Sequence, residues 1–594
     1  MSLIPVSRYF TLLAHYLRPQ RGRFALLALC LLAGIVLQVI IPQVSRGVID
    51  LATTVPPATA ADQPDPAADQ LTVQALAFIG LALVQQVVSL STTALGERVA
   101  WTATNALRSD VLAHVLRLDM TFHQATNAGT LIERVDGDIS QLAEFFSQFF
   151  IRIVGSLLLA GGILIALFLE DSRAGLVYTL FAGAALFVLY RLRGVAIEPA
   201  RALREIFARL SGFIEEHLGG MEDLRANGAG GYVIDRLGDI HQEIRRRWSR
   251  TVLYNSLFQS TSGMILTAGF SVAFVTGALL YEQGALTLGG VYLLMNYVIL
   301  LNRPLTDLSN QVERLQTISA SVSRVNDLLE THSALPQVAD TAAQIIPAGA
   351  LDVAFDSVTF GYAPDQPVLR QIAFRLPPGE TLGVVGRTGS GKSTLARLIF
   401  RLYDPQEGRV TLSGVPLTAV RLSDLRRRVA VVTQEVQLFE GAVRDNLTFF
   451  DPTIDDAQII ATLNSLELEA WLRELPDGLE TRIGSGGQGL SAGQAQLLAF
   501  ARAMLRQPDL VILDEASSRL DPLTEARIER AVDHLLHGRT GILIAHRLAT
   551  LDRVDRILVL EGGSVVEIGS RAALAADPAS RFAGLLRLGE GALS

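Results

Sequence analysis

The chain has 594 residues, of which 49% are hydrophobic and 19% are charged, and it carries 51 basic and 59 acidic side chains. The net charge of −8 excludes a strongly basic nucleic-acid-binding protein, and the apolar content excludes a mainly disordered chain. The single cysteine excludes an intrachain disulfide, and Lys392 is the only lysine among the 51 basic residues.

Long runs without charge organise the first half of the chain. A helix needs about 20 mostly apolar residues to cross a bilayer, and buried helices of a large soluble domain, the alternative, usually run shorter. Six such stretches in the first 330 residues therefore predict a transmembrane domain over residues 1–330. The predicted spans lie at approximately 24–45, 70–96, 150–170, 173–192, 253–281 and 286–308.

Arginines in the connecting segments orient these spans. Arg18, Arg21 and Arg23 precede the first span, and eleven arginines lie between Arg191 and Arg250, whereas the intervening outer loops are mainly acidic. Since basic loops stay on the inner side, we expect both termini and the second half of the chain to be cytoplasmic. The predicted location is the cell membrane, plasma or inner, crossed several times.

The two long inner connections carry apolar residues at helical spacing, so we expect the helices to continue well past the membrane. Each connection has a glycine-containing break near its middle, at Asn127-Ala128-Gly129 and at Gly219-Gly220. Glycine in a helical pattern marks a turn. Each connection is therefore predicted to descend, present a short transverse helix and return.

The pattern changes after a linker with two prolines, predicted at residues 331–350. From 351 to 594, short β-rich runs alternate with helical ones, as at Thr381–Val385, Val429–Val432 and Leu510–Leu513. This alternation predicts an α/β domain with a parallel sheet.

A glycine-rich motif follows the first of these three strands. Gly386-Arg387-Thr388-Gly389-Ser390-Gly391-Lys392-Ser393 fits G-x-x-x-x-G-K-[ST] and opens a helix predicted at Thr394–Leu402. Glycines let backbone N–H groups approach phosphate oxygens at a helix N-terminus. Lys392 is expected to reach the β- and γ-phosphates, and the Ser393 hydroxyl to ligate Mg²⁺.

A second motif ends the strand at residues 510–514. Asp514 at the strand end is expected to hold the Mg²⁺ shell. Glu515 follows it and is placed to polarise the attacking water as a general base. An acidic N-cap pair, the alternative for this dipeptide alone, is disfavoured after a phosphate-binding loop.

At this point the chain resembles an ATP-binding-cassette (ABC) exporter half-transporter, with one transmembrane domain fused to one nucleotide-binding domain. The resemblance implies that Tyr362 stacks on adenine, that Gln434 touches Mg²⁺ and that His546 contacts the γ-phosphate. It implies six spans with long cytoplasmic helical extensions, and an α/β P-loop ATPase domain with a helical subdomain that carries the signature. The residues expected to bind ATP and Mg²⁺ in this chain are Tyr362, Gly386, Arg387, Thr388, Gly389, Ser390, Gly391, Lys392, Ser393, Thr394, Gln434 and Asp514.

Two further motifs resemble the parts that meet the ATP bound by a partner subunit. They are the signature-like residues Ser491, Ala492, Gly493 and Gln494, and Asp521 of the D-loop. Ala492 departs from the family, which has a glycine there, and its Cβ crowds the approach of the signature helix to phosphate. Since Glu515 and His546 are retained, this asymmetry favours a heterodimer with a second half-transporter and leaves a homodimer open.

The predicted function is ATP-driven export or flipping of a hydrophobic or amphipathic small molecule, lipid or peptide. The predicted span interiors lack ionisable residues, so neither a proton relay nor a path for charged ions is indicated. The alternative is an ATP-gated channel or a regulatory membrane protein of the same family. A soluble cassette ATPase would lack the spans, and an importer normally keeps its membrane and ATPase parts on separate chains.

Overall fold

The computed structural model describes residues 14–54, 66–336, 338–339, 341–363, 365–433, 435–487, 489–514, 522–545 and 548–590. The chain folds as two compact units. Unit 1 comprises Met1–Leu116 and Asn127–Thr331, and unit 2 comprises Arg117–Thr126 and His332–Ser594. Unit 2 therefore includes a short stretch from the first inner connection, far from the rest of the unit in sequence.

The first half of the chain is helical, with long helices joined by short ones. In order, these are α1 (Arg21–Thr54), α2 (Pro66–Arg117), α3 (Met120–Ala125), α4 (Ala128–Ile132), α5 (Ile139–Gln148), α6 (Gly155–Glu170), α7 (Ser172–Gly219), α8 (Met221–Ala226), α9 (Gly230–Glu282) and α10 (Leu288–Glu330). The π-helical turns Glu133–Asp138 and Phe149–Val154 flank α5. Each predicted glycine break is accompanied by a short helix, α3 or α8.

Five described helices are long and apolar enough to cross a membrane. They lie at Ala14–Thr53, Asp69–Arg117, Ile151–Glu170, Ser172–Leu192 and Gly230–Glu282. The sixth predicted span, 286–308, falls largely within α10 but is not among these five. Asn296, Asn302 and Arg303 lower the hydropathy of this stretch, and the span stays a prediction.

The helices extend beyond the apolar runs that predicted them. Helix α1 contains Pro42 and continues to Thr54, although the charge-free run ends at residue 45. Arg46 and Asp50, one helical turn apart, pair at 3.4 Å. Because such i,i+4 pairs support a helix, the charges that end the apolar run do not end α1.

The core of unit 1 lies between α6, α7 and α10. Ile163, Leu167, Tyr178 and Leu294 are fully buried there, and the Tyr178 hydroxyl donates to the carbonyl oxygen of Leu294 at 3.1 Å. By contrast, large apolar side chains along α1 and α2, such as Leu29 and Leu83, are about two-thirds exposed (64% each). Apolar surface on this scale fits helices that face lipid.

Unit 2 contains two main sheets. Its strands are β1 (Val353–Phe360), β2 (Leu369–Leu376), β3 (Thr381–Val385), β4 (Glu407–Leu412), β5 (Val415–Pro416), β6 (Val429–Val432), β7 (Gly441–Ala442), β8 (Arg482–Ile483), β9 (Leu510–Asp514), β10 (Thr540–Ile544), β11 (Arg556–Glu561) and β12 (Ser564–Ser570). The antiparallel sheet has the order β2-β1-β4-β5, and the larger sheet has the order β12-β11-β3-β10-β9-β6. The larger sheet is parallel except at the edge strand β12, as the predicted fold class requires.

Helices cover the sheets of unit 2. They are α11 (Lys392–Ile399), α12 (Leu422–Arg428), α13 (Val443–Thr448), α14 (Asp456–Ser465), α15 (Glu469–Glu474), α16 (Ala492–Leu505), α17 (Pro522–Leu536), α18 (Arg571–Ala576) and α19 (Arg581–Glu590). One buried cluster joins the two sheets to α11 through residues such as Phe355, Leu395 and Ile512. A second cluster packs α14 and α16 against the other face of the sheet, around Leu463 and Phe500. These cores position the loops at the carboxyl edge of the parallel strands.

Candidate nucleotide site

The glycine-rich loop follows β3, whose five residues are all buried. Gly389 and Gly391 have φ values of +83° and +103°, a backbone region that residues with a side chain rarely adopt. A Cβ on Gly386 would lie 2.3 Å from the carbonyl oxygen of Leu560. The glycines at these positions are therefore required by the path of the loop.

Lys392 is the first residue of α11 and is 5% exposed. Its Nζ donates hydrogen bonds to the carbonyl oxygens of Gly386 at 2.7 Å and Arg387 at 3.2 Å. The side chain thus turns back along its own loop, and the ammonium group lies inside the curve that the loop describes. A positive charge at this place suits a phosphate cradled by the same loop.

The buried hydroxyl of Ser390 indicates that the loop fits a phosphate. Ser390 is 4% exposed, and within the part of the chain that the structure describes its Oγ has no hydrogen-bond partner. A buried hydroxyl without a partner is costly. A phosphate oxygen in the loop would satisfy it, so the residues present fit a bound nucleotide.

Asp514 reaches the same edge of the sheet as the loop. Strand β10 lies between β3 and β9, and Ile544 pairs with Val384 on one side and with Asp514 on the other. Ligands of open α/β sheets bind at the carboxyl ends of the strands. The described residues contain no group of three or more His, Cys, Asp or Glu side chains that could hold a metal by themselves. A Mg²⁺ ion here would therefore need phosphate oxygens beside Ser393 and Asp514.

Tyr362 is held next to α11 by its hydroxyl. The hydroxyl lies 3.1 Å from the Oγ1 of Thr394 and accepts a hydrogen bond from Arg397 at 2.7 Å. The ring is 37% exposed and meets the ring of Tyr403 edge to face, with centroids 5.3 Å apart. Sequence reasoning named Tyr362 and Thr394 but missed Arg397. The available signal was its position three residues after Thr394, on the same helix face.

The signature-like residues form the N-terminus of α16. Ser491 is the N-cap, its Oγ accepts from the Gln494 backbone N at 3.2 Å, and Gln494 Oε1 accepts from the Ser491 backbone N at 2.9 Å. This is a capping box. Ala492 is exposed at the first helical position. Gly493 is buried, and a Cβ added to Gly493 would lie 2.3 Å from Thr524 Cγ2.

Arg502 is a buried residue of the signature-bearing helix that sequence reasoning did not name. It lies on α16, is 8% exposed, and donates to the carbonyl oxygens of Asn446 at 2.5 Å and Gln437 at 2.8 Å. Burial, and secondarily the nearby Arg506, lower the pKa of Arg502 to about 10. Arg502 thereby ties the signature-bearing helix to the segment just after Gln434. A single arginine in a helix carries no motif from which this contact could be predicted.

Four predicted residues lie outside the described residues. They are Gln434, Glu515, Asp521 and His546. The structure describes the residues directly before three of them: Thr433 follows β6, Asp514 ends β9, and Ala545 follows β10, the neighbour of β9. The roles assigned to these four residues stay predictions.

Unit 1 contains a cavity of about 280 Å³. Its apolar lining includes Leu31, Ile35 and Leu159. It also has four charged lining residues, two of each sign, and each lies close to the end of a charge-free run. They are Glu97, Arg152, Arg303 and Asp307. The expectation that the span interiors lack ionisable residues is therefore incomplete. The charged side chains lie just beyond the apolar runs, three of them within the predicted bounds of the spans, and they line the cavity.

Two family models match the chain. The ABC transporter transmembrane region matches residues 24–305, and the ABC transporter domain matches residues 369–518. The second match spans the loop, Asp514 and the signature-like motif.

Curated relatives match over most of their length. An ATP-dependent lipid A-core flippase of Alcanivorax borkumensis is 32% identical over 469 residues, covering 78% of this chain and 79% of the flippase. A fatty acid ABC transporter ATP-binding/permease protein of Mycobacterium tuberculosis is 30% identical over 470 residues, covering 79% of this chain and 74% of that protein.

A solved structure of a bacterial Atm1-family ABC exporter with ATP bound has a similar fold. The TM-score is 0.79 at 24% sequence identity, and the match covers 96% of this chain and 98% of the exporter.

Proposed function

The chain belongs to the ABC transporter family, and from this we propose that it exports or flips an amphipathic lipid or drug-like molecule. It is a membrane protein of the exporter type, and its nucleotide-binding domain binds and hydrolyses ATP to drive transport.

The loop at 386–393 is proposed to hold the phosphates. A glycine-rich loop and the N-terminus of the helix that follows it offer backbone N–H groups to phosphate. Lys392 supplies a positive charge, and Ser390 Oγ is a buried hydroxyl with no partner among the described residues. Ser393, Asp514 and Gln434 are the residues that would hold Mg²⁺. When bound, Mg²⁺ neutralises charge that develops on the phosphates.

Hydrolysis is assigned to two residues that follow strand ends. Glu515 is proposed to accept a proton from the attacking water, and His546 to contact the terminal phosphate. Their positions next to Asp514 and Ala545, on the adjacent strands β9 and β10, support the assignment. Both residues would then act at the carboxyl edge of the sheet, where the phosphate loop also lies.

The lining of the cavity in unit 1 supports our proposal for the chemistry of the transported molecule. Apolar side chains line one part, and Glu97, Arg152, Arg303 and Asp307 line another, so the cavity suits a molecule with an apolar and a polar end. Arg303 and Asp307 lie 3.9 Å apart, and the four charges balance, so the lining selects neither an anionic nor a cationic head group. The relatives named as transporters of lipid A-core and of fatty acid support an amphipathic cargo.

ABC exporters act as dimers, and we favour a second, different half-transporter as the partner. Ala492 is exposed at the first position of α16, where the methyl group would meet a nucleotide held by the partner. A chain that keeps Glu515 but presents an altered signature is suited to pairing with a half-transporter that lacks the catalytic glutamate. The proposed location is the plasma or inner membrane, with both termini and the ATPase domain cytoplasmic, as the arginine-rich connections indicate.

ATPase measurements in liposomes test this proposal. The chain, alone and with a copurifying half-transporter, is assayed across a panel of amphipathic compounds, next to the Glu515→Gln variant. We expect stimulation by a subset of amphipaths and loss of steady-state hydrolysis in the variant. Normal hydrolysis by Glu515→Gln would show that the assigned base is wrong. Full amphipath-stimulated turnover by the chain alone would contradict the heterodimer.

A further inference from the structure

A buried carboxylate in unit 2 joins the transverse helix α3 to the chain segment that follows α10. Asp119 is 7% exposed and is the N-cap of α3. Its Oδ1 accepts hydrogen bonds from the backbone N of Thr121 at 2.8 Å and of Phe122 at 3.2 Å. These bonds are ordinary for a helix N-cap, and they use one of the two carboxylate oxygens.

The other oxygen of Asp119 binds residues 333–336, which we call the strap. Oδ2 accepts from the backbone N of Ala334 at 2.5 Å and from the Ser333 hydroxyl at 3.1 Å. Burial opposes ionisation of Asp119, but the hydrogen bonds from Ala334, the α3 amides and Ser333 outweigh it and hold the pKa of the carboxyl below its usual range. Asp119 is therefore an ionised group with four donors, which a helix cap alone does not require.

The strap is also fixed from the side of the nucleotide site. Arg401 lies two residues after α11 and is 1% exposed. It donates to the carbonyl oxygen of Pro336 at 3.2 Å and is held in place by Asp404 at 2.9 Å. Leu335, between the two attachments, is buried. The strap is thus bonded at one end to α3 and at the other to the residues that follow the helix of Lys392.

An aromatic contact joins the segment after α11 to the proposed adenine site. Tyr403 is 5% exposed, and its ring packs against the ring of Tyr362. Burial is the main cause that raises the pKa of the Tyr403 hydroxyl; Tyr362 adds to this effect and Arg397 opposes it. Among the described residues the Tyr403 hydroxyl has no hydrogen-bond partner. Tyr403 is therefore a buried neighbour of the residue proposed to stack on adenine.

We propose that Asp119 is a positioning residue that makes α3 respond to nucleotide binding, through the strap and Arg401. The proposal rests on the nucleotide site proposed above. A shift of Tyr362 or α11 on binding ATP reaches α3 because Asp119 bonds both the helix and the strap. Without the Oδ2 bonds, ATP would still bind, but α3 would no longer follow.

The variant Asp119→Asn separates the cap from the strap. Asparagine keeps the cap oxygen and is an equally good N-cap, but its amide NH₂ replaces the acceptor Oδ2 with a donor. Asp455→Asn is the matched control, because Asp455 caps α14 by accepting from the Gln458 backbone N at 2.8 Å. Both changes convert a capping aspartate to asparagine in the same unit.

The test is hydrogen–deuterium exchange of the full chain in nanodiscs, with and without MgATP, together with ATP affinity. In the wild type and in Asp455→Asn, we expect ATP to change the exchange of the peptide covering residues 117–126. In Asp119→Asn, we expect unchanged ATP affinity, loss of that change, and exchange at Ala334 at least about tenfold faster, since a hydrogen bond to a charged acceptor is lost.

A wild-type response of residues 117–126 in Asp119→Asn would overturn the proposal. If this variant does not fold, Ser333→Ala decides, because it removes one donor and leaves Asp119 in place. A reduced response in Ser333→Ala supports the proposal, and an unchanged one contradicts it. Failure of the wild type to bind ATP would instead refute the nucleotide site itself.

Discussion

The Nζ of Lys392 lies 2.7 Å from the carbonyl oxygen of Gly386, the first residue of its own loop. The side chain of the first residue of α11 thus reaches back to the residue that follows β3. Lys392, the single lysine among the 51 basic residues, lies inside a turn of backbone. A compact ammonium can enter such a turn, whereas a planar guanidinium is broader and carries five fixed donors.

Lys392→Arg is therefore expected to reduce ATP hydrolysis by at least about 100-fold, although the charge is unchanged, because a preorganised donor to the phosphates is lost. The measurement is steady-state ATPase of the purified chain in liposomes. Arg409→Lys, an exposed change of the opposite sense on β4, is the control and should retain normal turnover. Near-normal hydrolysis by Lys392→Arg would refute the assigned role.

Tyr362→Ala is expected to raise the KM for ATP by about tenfold with a smaller effect on kcat, since stacking of a base on an aromatic ring contributes about 1–3 kcal/mol. Tyr362→Phe keeps the ring and loses only the bonds to Thr394 and Arg397. It should lie much closer to the wild type. Equal KM values for the two variants would contradict stacking as the function of this ring.

Much of this geometry could be predicted from local sequence. Strand β3 has the predicted bounds, and β9 ends at Asp514, as predicted for the strand that carries this carboxylate. Helix α11 begins two residues earlier than predicted, because Gly391 is its N-cap. It ends at Ile399 rather than Leu402, because Arg401 adopts a left-handed backbone conformation with φ of +47°. That conformation lets Arg401 reach the strap, a contact that no local pattern indicates.

Contacts between distant segments were the part that could not be predicted. Asp119 and Ser333 are 214 positions apart. The hydrophobic periodicity around each residue gives no sign of a contact with the other. An aspartate before a short helix predicts only an N-cap. The charged lining of the cavity was missed for a related reason. Counting charges within each apolar run ignores those just beyond its end, which helix packing brings together.

Ala492→Gly tests whether the altered signature limits the chain when it pairs with itself. Removing the exposed methyl group should raise the ATPase activity of the chain purified alone, because backbone N–H groups at the start of α16 become more accessible to phosphate. The same change should matter less in a complex whose partner lacks a complete catalytic site of its own. No increase for the chain alone would show that Ala492 does not account for any asymmetry.

Gly493→Ala should destabilise the chain by about 1–3 kcal/mol, the usual cost of overpacking a buried site, because the new Cβ would lie 2.3 Å from Thr524 Cγ2. Thermal unfolding of the full chain in detergent measures this. Gly584→Ala is the matched control, because it also replaces a helical glycine with alanine. A Cβ added to Gly584 would meet no atom within 4 Å. Equal melting temperatures for the two variants would contradict the packing described here.

We propose that this chain uses ATP to move an amphipathic molecule across a bilayer. The most direct measurement is ATP-dependent translocation of a fluorescent phospholipid in proteoliposomes, followed by dithionite quenching. It compares the wild-type chain, with its copurifying half-transporter where there is one, with the same complex carrying Lys392→Arg. We predict translocation that requires ATP and is lost in the variant. Translocation of equal rate without ATP, or in Lys392→Arg, would contradict the account.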